Sequence, residues 1–240
     1  GGGAVALFIL KNYPGTKVFL SDLNGDLINA WKMVRDKPEE LIAELKRLEP
    51  NHGKEQYYRI RAMDPNGLSS IKAAARFIYL NRTCYNGLHR VNSKGKFNVP
   101  MGRYRKPNIC PAERIRECSR VIQNAEFQKT DFRQIPKSVG LRDFVYLDPP
   151  YVAADHGKGF TGYTRLRFAW SDQIELHRLM LVFGQRGVCF CLSNPDSIAV
   201  RSLFRDFTLA TAAAKQTISR TVGARVKRRE LVVMTRTRAD

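Results

Sequence analysis

Apolar and polar residues follow two different periodicities along this chain. In the first half, apolar residues recur every three or four positions, which is typical of helices with one buried face. In the second half, short apolar runs separated by polar segments predict strands that alternate with helices. The predicted helices cover residues 27–34, 38–48, 69–80 and 174–183, and the predicted strands cover 17–21, 144–147, 188–192 and 230–234. This order favours an α/β sheet.

The middle of the chain interrupts that order. Residues 87–104 are rich in turn formers and contain short apolar pieces, which predicts a hairpin. Together with the preceding helices, the hairpin indicates an inserted helical and β-hairpin subdomain at residues 33–110. Residues 1–32 and 111–240 then form the sheet domain around it.

The excess of positive charge indicates a binding partner. The chain carries 41 Lys and Arg residues against 22 Asp and Glu residues, a net charge of +19. No acidic residue occurs between Pro65 and Ala112, whose cations are Lys72, Arg76, Arg82, Arg90, Lys94, Lys96, Arg103, Arg105 and Lys106. A face that serves only solubility normally carries both signs, so this stretch favours a nucleic-acid surface. A second cluster is compatible with either an extension of that surface or a solvated loop; it comprises Arg220, Arg225, Lys227, Arg228 and Arg229.

Cysteine and histidine usage argues against a metal site. The five cysteines form no CxxC pair, and the four histidines are scattered. An odd number of cysteines is typical of reduced thiols in a cytoplasmic protein. No apolar run approaches the length of a membrane span, and no secretory signal is present. We therefore expect a cytoplasmic protein with no metal, no membrane association and no evident obligate protein partner.

The most specific short motif is Asp148-Pro149-Pro150-Tyr151, which directly follows a predicted strand. Open α/β sheets bind ligands beyond the carboxyl ends of their strands. The two prolines remove backbone N–H donors, which leaves a carboxylate, a carbonyl and an aromatic face. An exocyclic amino group on a flat base requires two acceptors and a ring on which to stack. The alternative is a proline turn with a capping aspartate.

This motif resembles the D/N/S-P-P-Y/F/W motif of amino-methyltransferases. Residues 80–104, LNRTCYNGLHRVNSKGKFNVPMGRY, resemble the recognition block of Dam-type DNA adenine-N6 methyltransferases. The resemblance implies a Rossmann-like sheet with an inserted target-recognition subdomain. It also implies methyl transfer from S-adenosylmethionine to an adenine flipped out of double-stranded DNA, in the sequence GATC. Asp148, Pro149, Pro150 and Tyr151 are then the catalytic residues.

The resemblance assigns further site residues. The cofactor contacts are Gly1, Gly2, Gly3 and Ala4 in a glycine-rich loop, Asp22, the pair Asp131 and Phe132, and Asp148. The DNA contacts are Tyr85, Asn86, Leu88, Arg90, Lys94, Lys96, Pro100, Arg103 and Lys106. Ser193 and Asn194 also match a family pattern and receive a structural role. Without the resemblance, each of these motifs has an alternative explanation. The glycines are compatible with a tag remnant, Asp22 with a helix cap and Asp131 with a strand-ending turn.

One part of the family pattern is missing from this sequence. The family normally begins with a Lys-Trp-x-Gly-Gly-Lys-like motif and a strand ending in acid-Pro-Phe, and neither precedes Gly1. The sequence is then either a fragment or a natural truncation. Two alternatives therefore remain open: an RNA adenine-N6 methyltransferase, and a truncated, catalytically impaired DNA-binding remnant.

Overall fold

The computed structural model describes residues 2–137, 139–151, 168–215 and 227–236. The chain forms two compact units, Gly1–Asp131 and Phe132–Asp240. Both contain helices and strands, which confirms the mixed α/β class. Within the described residues, no helix is long and apolar enough to cross a membrane.

The first unit is mostly helical. Its elements are α1 (Ala4–Asn12), β1 (Val18–Asp22), α2 (Gly25–Asp36), α3 (Pro38–Leu48), α4 (Lys54–Ala62), α5 (Ser70–Thr83), α6 (Ala112–Val121) and β2 (Ala125–Lys129), with short 3₁₀ turns at Pro65–Gly67 and Tyr85–Gly87. The helices expected at 27–34, 38–48 and 69–80 are confirmed. Sequence analysis missed α1, which is apolar at most positions, and α4, which is polar apart from a few buried residues.

Local sequence explains where these helices begin. The Asn24 side chain accepts hydrogen bonds from Asp26 and Leu27 at the start of α2, and Ser69 caps α5 in the same way. At the start of α3, Pro38 occupies a position that needs no N–H donor.

A single hydrophobic core holds the first unit together. The largest fully buried side chains in it are Tyr57, Tyr79, Leu41, Leu45, Leu80, Ile109 and Ile122. Residues of the predicted insertion, 33–110, therefore pack with Ile28, Ile115 and Phe127 from the flanking segments. The separate status of residues 33–110 stays a prediction.

The predicted hairpin consists of isolated bridges with a bulge. Antiparallel bridges join Cys84 to Met101 and Val91 to Phe97. Between them, the Tyr85 N–H donates to the Pro100 carbonyl at 2.9 Å, and the Asn98 N–H donates to the Arg90 carbonyl at 3.1 Å. Residues 86–89 on the first arm thus stand opposite residue 99 alone on the second, so the Tyr85–Gly87 turn forms a bulge in the first arm.

The second unit contains a four-stranded mixed sheet. Its elements are a 3₁₀ segment at Phe132–Lys137, then β3 (Phe144–Leu147), α7 (Trp170–Gln185), β4 (Cys189–Pro195), α8 (Ile198–Leu203), β5 (Thr208–Lys215) and β6 (Lys227–Met234). The strand order is β3-β4-β6-β5, with β3 parallel to β4 and β6 antiparallel to both neighbours. Phe183, Phe204, Met180 and Leu192 fill its core.

The described strands form two sheets, and the Rossmann-like sheet with an inserted subdomain stays a prediction. In the described residues, β1 and β2 form a two-stranded parallel sheet, and the other four strands form a second sheet. Hydrophobic periodicity identifies a strand but carries no information about its hydrogen-bonded neighbour. The strands expected in the second unit are confirmed, and β5, with its alanine-rich sequence TLATAAAK, was missed.

Candidate active site and nucleic-acid interface

The proline motif lies where β3 ends. Because β3 and β4 are parallel and Leu147 pairs with Leu192, Asp148 lies beside Ser193. The Ser193 hydroxyl donates to Asp148 Oδ1 at 3.2 Å, and the Tyr146 hydroxyl lies 3.1 Å from Ser193 Oγ. Since the Ser193 proton faces Asp148, the Tyr146 hydroxyl is the donor in its own bond. Ser193, expected to be only structural, therefore belongs to the candidate active site.

Tyr151 is held by a residue that sequence analysis missed. Its hydroxyl donates to Glu230 Oε1 at 2.9 Å. Glu230 lies on β6 opposite Pro195, at the end of β4 that also carries Ser193. The sequence signal that could have identified this position is a single acidic residue directly after Lys227, Arg228 and Arg229. The motif's other residues, Pro149 and Pro150, lie between Asp148 and Tyr151 in the sequence and are half-buried.

Burial and charge keep both phenols of this site protonated. The pKa of Tyr151 is raised, first by burial, then by its hydrogen bond to Glu230 and by the Glu230 and Asp148 carboxylates. The pKa of Tyr146 is also raised, mainly by burial. Both hydroxyls therefore remain hydrogen-bond donors through the neutral and moderately alkaline range.

A buried amide pair joins α7 to β4 next to Ser193. Asn194 Nδ2 donates to Gln173 Oε1 at 3.1 Å, and Gln173 Nε2 donates to Asn194 Oδ1 at 3.3 Å. Both side chains are fully buried. Because an unpaired buried amide would cost about 1–3 kcal/mol, this reciprocal pair fixes α7 against the end of β4. The structural role expected of Asn194 agrees with this arrangement.

In the first unit, Asp22 and Asp131 lie at one edge of the two-stranded sheet. Asp22 pairs with Lys129 across β1 and β2, and the Thr130 N–H donates to the Asp22 carbonyl at 3.2 Å. Asp131 follows directly. The Asp22 carboxylate accepts a hydrogen bond from the Asn24 N–H at 2.7 Å. The side chain that caps α2 is that of Asn24, so Asp22 is not the helix cap that the sequence alone allowed.

The glycines lead into α1. Gly3 precedes the helix with a φ of 70°, and a Cβ atom there would lie 2.7 Å from Trp31 Cζ2, so this position requires glycine. Gly2 is exposed, and Ala4 is the first helical residue rather than part of a loop. Gly1 lies outside the described residues. The buried Trp31 Nε1 has no hydrogen-bond partner within the described part of the chain.

Phe132 belongs to the second unit. Its ring centroid lies 6.0 Å from that of Phe168, and the Arg133 guanidinium lies 4.6 Å from the Phe132 ring centroid. It packs against the core of that unit. Its expected contact with a cofactor stays a prediction.

The hairpin gathers the predicted DNA-contacting residues. Its bulged turn carries Tyr85 and Asn86, with Leu88 directly after it, and Pro100 lies on the facing arm. Asn86 has a positive φ of 52°, which asparagine tolerates better than most residues. Pro100 is exposed, and so are the cations nearby in the sequence: Lys94, Lys96, Arg103, Arg105 and Lys106.

Arg90 is held in place by a single residue. Its Nε donates to Asn98 Oδ1 at 2.7 Å, and its Nη2 lies 3.3 Å from the Asn98 carbonyl oxygen. The Val99 carbonyl next to Asn98 accepts from Tyr57 and Arg61, which anchors this arm on α4. Arg90 is therefore oriented before any partner binds.

One cation of the acid-free stretch is not on the surface. Arg76 is only 6% exposed and donates to the Ile60 and Arg61 carbonyls at the end of α4. It satisfies terminal carbonyls of that helix instead of binding a partner. In the second basic cluster, Arg229 is exposed, but Arg220, Arg225 and the side chains of Lys227 and Arg228 lie outside the described residues.

Among the described residues, no group of three or more histidine, cysteine and acidic side chains is arranged to hold a metal ion. The five cysteines are free. Burial raises the pKa of the Cys84 thiol to about 12, so this cysteine is not a nucleophile near neutral pH.

Comparison with known proteins identifies the family. A model described as D12 class N6 adenine-specific DNA methyltransferase matches residues 1–218. The chain belongs to this family. The Type II methyltransferase M.MjaIII of Methanocaldococcus jannaschii is 36% identical over 91% of this chain and 80% of its own length. The DNA adenine methylase of Serratia marcescens is 32% identical over 98% of this chain and 87% of its own length.

The DNA adenine methylase of Escherichia coli K12 is 30% identical over 97% of this chain and 83% of its own length. The protein is thus an adenine-specific DNA methyltransferase of the D12 class. The resemblance to Dam-type enzymes is confirmed at the level of the family.

Proposed function

We propose that this D12 methyltransferase moves the methyl group of S-adenosylmethionine to N6 of an adenine flipped out of duplex DNA, within GATC. The observation that carries the proposal is the site at the end of β3, where Ser193 orients the Asp148 carboxylate. The adenine amino group donates one N–H to Asp148 and the other to the Pro149 carbonyl, and the Tyr151 ring stacks on the base. Flipping costs a few kcal/mol, which these contacts offset.

The protein residues prepare the nitrogen for attack. Hydrogen bonds to Asp148 and Pro149 draw the N6 lone pair out of conjugation with the ring and aim it at the methyl group. Positive charge develops on N6 as the new N–C bond forms, and the Asp148 carboxylate stabilises that charge. The bonded N6 proton leaves toward the same carboxylate. When bound, S-adenosylmethionine would supply the electrophilic methyl group as a sulfonium, and its S–CH3 bond would break to leave the neutral thioether S-adenosylhomocysteine.

Features of the first unit suit this cofactor. Asp22 and Asp131 provide acceptors for ribose hydroxyls and for the adenine amino group. Gly2, Gly3 and Ala4 lead into the start of α1, where no side chain caps the helix, so its first N–H groups can donate to the cofactor carboxylate. Trp31 Nε1 adds a further buried donor beside Gly3. Gly1 and Phe132 complete the proposed set.

The hairpin supplies recognition of the sequence GATC. Arg90 and Arg103 each carry a planar fork that matches the O6 and N7 acceptors of guanine in the major groove. Leu88 and Pro100 offer apolar contacts to thymine methyl groups, and Tyr85 and Asn86 fill the space vacated by the flipped base. The cations Lys94, Lys96 and Lys106 are exposed and bind phosphates, which positions the duplex without specifying sequence.

Transfer of labelled methyl groups tests the proposal. The protein is incubated with labelled S-adenosylmethionine and a duplex containing one GATC, the same duplex with GATC scrambled, or a structured RNA. We expect label only in the GATC duplex, and protection of that site from an endonuclease blocked by adenine methylation. Label in RNA alone supports the RNA enzyme. DNA binding without transfer supports the impaired remnant, and transfer at another sequence contradicts only the specificity.

The cofactor site makes a separate prediction. Replacing Asp131 with Asn keeps the size of the side chain and removes its charge, so S-adenosylmethionine should bind about three- to tenfold more weakly by calorimetry. Glu126→Gln is the matched control, because this exposed acid lies near the start of β2, whereas Asp131 follows the carboxyl end of that strand. Equal affinities of the two variants contradict the proposed role of Asp131.

A further inference from the structure

Glu230 connects the last strand of the sheet to the proline motif. It pairs with Pro195 across β4 and β6, and β4 lies directly between β6 and β3. Strand register therefore brings Glu230 to the sheet edge where Asp148 follows β3. From there its Oε1 accepts the Tyr151 hydroxyl at 2.9 Å. The bond joins residues 79 positions apart, so the sheet, not local sequence, creates it.

We propose that Glu230 is a positioning residue for methyl transfer, which fixes the Tyr151 ring in the orientation that stacks on the target adenine. This inference rests on the proposed function, in which Tyr151 provides the stacking face. It extends that function to a residue outside the proline motif.

The exposure of Tyr151 makes an anchor necessary. Its side chain is 38% exposed, so core packing restrains it only in part. Pro149 and Pro150 restrict the backbone before it but leave the rotation of its own side chain open. A hydrogen bond at the far end of the ring removes that rotation. A stacking ring that is fixed before the base arrives loses less conformational entropy on binding.

The site thus contains two hydrogen-bonded groups that adjoin each other, because Asp148 and Ser193 also influence the Tyr151 phenol. Tyr146 and Ser193 orient Asp148, which accepts from the amino group. Glu230 orients Tyr151, which receives the face of the base. Burial and the adjacent carboxylates raise the pKa of the Tyr151 phenol, so the donor in the second group persists at alkaline pH.

Three substitutions distinguish this role from a direct effect of charge. Tyr151→Phe keeps the ring and removes only the hydroxyl. Glu230→Gln keeps an acceptor oxygen and removes the charge, and Glu230→Ala removes both. If Glu230 acts through Tyr151, the first and third variants are equivalent and the second is close to wild type.

The experiment measures steady-state methylation of a GATC duplex, together with fluorescence of 2-aminopurine placed at the target adenine. We expect Tyr151→Phe and Glu230→Ala each to lower kcat about tenfold. The double variant should lose no more than either single variant, and Glu230→Gln should stay within about threefold of wild type. Because stacking on tyrosine quenches 2-aminopurine, the bound probe should be brighter in Tyr151→Phe and Glu230→Ala.

Several results would overturn the inference. Additive losses in the double variant, or wild-type kcat and fluorescence in Glu230→Ala, show that Glu230 does not act through Tyr151. A loss in Glu230→Gln equal to that in Glu230→Ala, with Tyr151→Phe unaffected, assigns a charge effect. If Glu230→Ala does not fold, Tyr151→Phe and Glu230→Gln still decide the matter.

Two further variants complete the design. Asp206→Asn, an exposed carboxylate bonded to His177 in the same unit, controls for general loss of charge. Asp148→Ala separates the two proposals. Full activity of Asp148→Ala contradicts the proposed function, whereas the comparison among the Glu230 and Tyr151 variants tests the inference alone.

Discussion

Replacing Asp148 with alanine is expected to lower kcat for methylation of duplex DNA by about 10²–10³-fold, the loss typical when a preorganised group facing developing charge is removed. In the proposed mechanism, the carboxylate accepts one amino proton of the adenine and faces the positive charge that develops on N6. No other side chain of the proline motif carries a charge. Single-turnover methylation with enzyme in excess measures this loss without interference from product release.

DNA affinity should change little in the same variant. In the proposed function, the phosphate contacts that dominate affinity come from the hairpin region of the first unit, whereas Asp148 lies in the second. Asp143→Ala is the matched control, because this acid directly precedes β3, at the opposite end of the strand from Asp148. Turnover close to wild type in Asp148→Ala, with Asp143→Ala also active, contradicts the assignment of Asp148 as the amino-group acceptor.

Replacing Arg90 with alanine is expected to cost about 1–3 kcal/mol of discrimination at one base pair of the recognition sequence. Asn98 already holds Nε and Nη2 of this side chain, so the guanidinium has a fixed orientation in which its Nη1 edge is proposed to contact the base. The measurement compares kcat/KM for GATC with kcat/KM for duplexes that carry each single-base change. The ratio should fall at one position and stay constant at the others.

Lys106→Ala provides the contrasting control for Arg90. An exposed lysine that contacts a phosphate binds every sequence alike. Its removal should weaken binding to all duplexes equally and flatten the plot of log affinity against log salt concentration by about one unit of slope. A uniform loss in Arg90→Ala, with no change in discrimination, identifies Arg90 as a second phosphate contact.

The chemistry of the site is visible in the sequence because it depends on short contiguous motifs. Asp148, Pro149, Pro150 and Tyr151 are adjacent in the chain, and a strand before them suffices to place them at a sheet edge. The recognition block 80–104 is likewise contiguous, and its turn formers predicted a hairpin. Such local motifs can be recognised from the sequence without knowledge of the fold.

The acid-free stretch between Pro65 and Ala112 shows what composition can predict about a surface and what it cannot. Composition indicated a basic surface, and the exposed side chains of Lys94, Lys96 and Lys106 agree with it. It could not exclude Arg76, which is buried against the end of α4. Arginine has the same charge in either place, and only packing determines whether the charge faces a partner or a backbone carbonyl.

Sequence by itself determined the mixed α/β class, the proline motif, the hairpin and the excess of positive charge. Tertiary structure alone decided that Ser193 orients Asp148, that Glu230 holds Tyr151 and that Asn98 holds Arg90. The first two pairs join different strands, so they exist only once the register of β3, β4 and β6 is set. That register arises from backbone hydrogen bonds between distant segments, which hydrophobic periodicity along one segment does not encode.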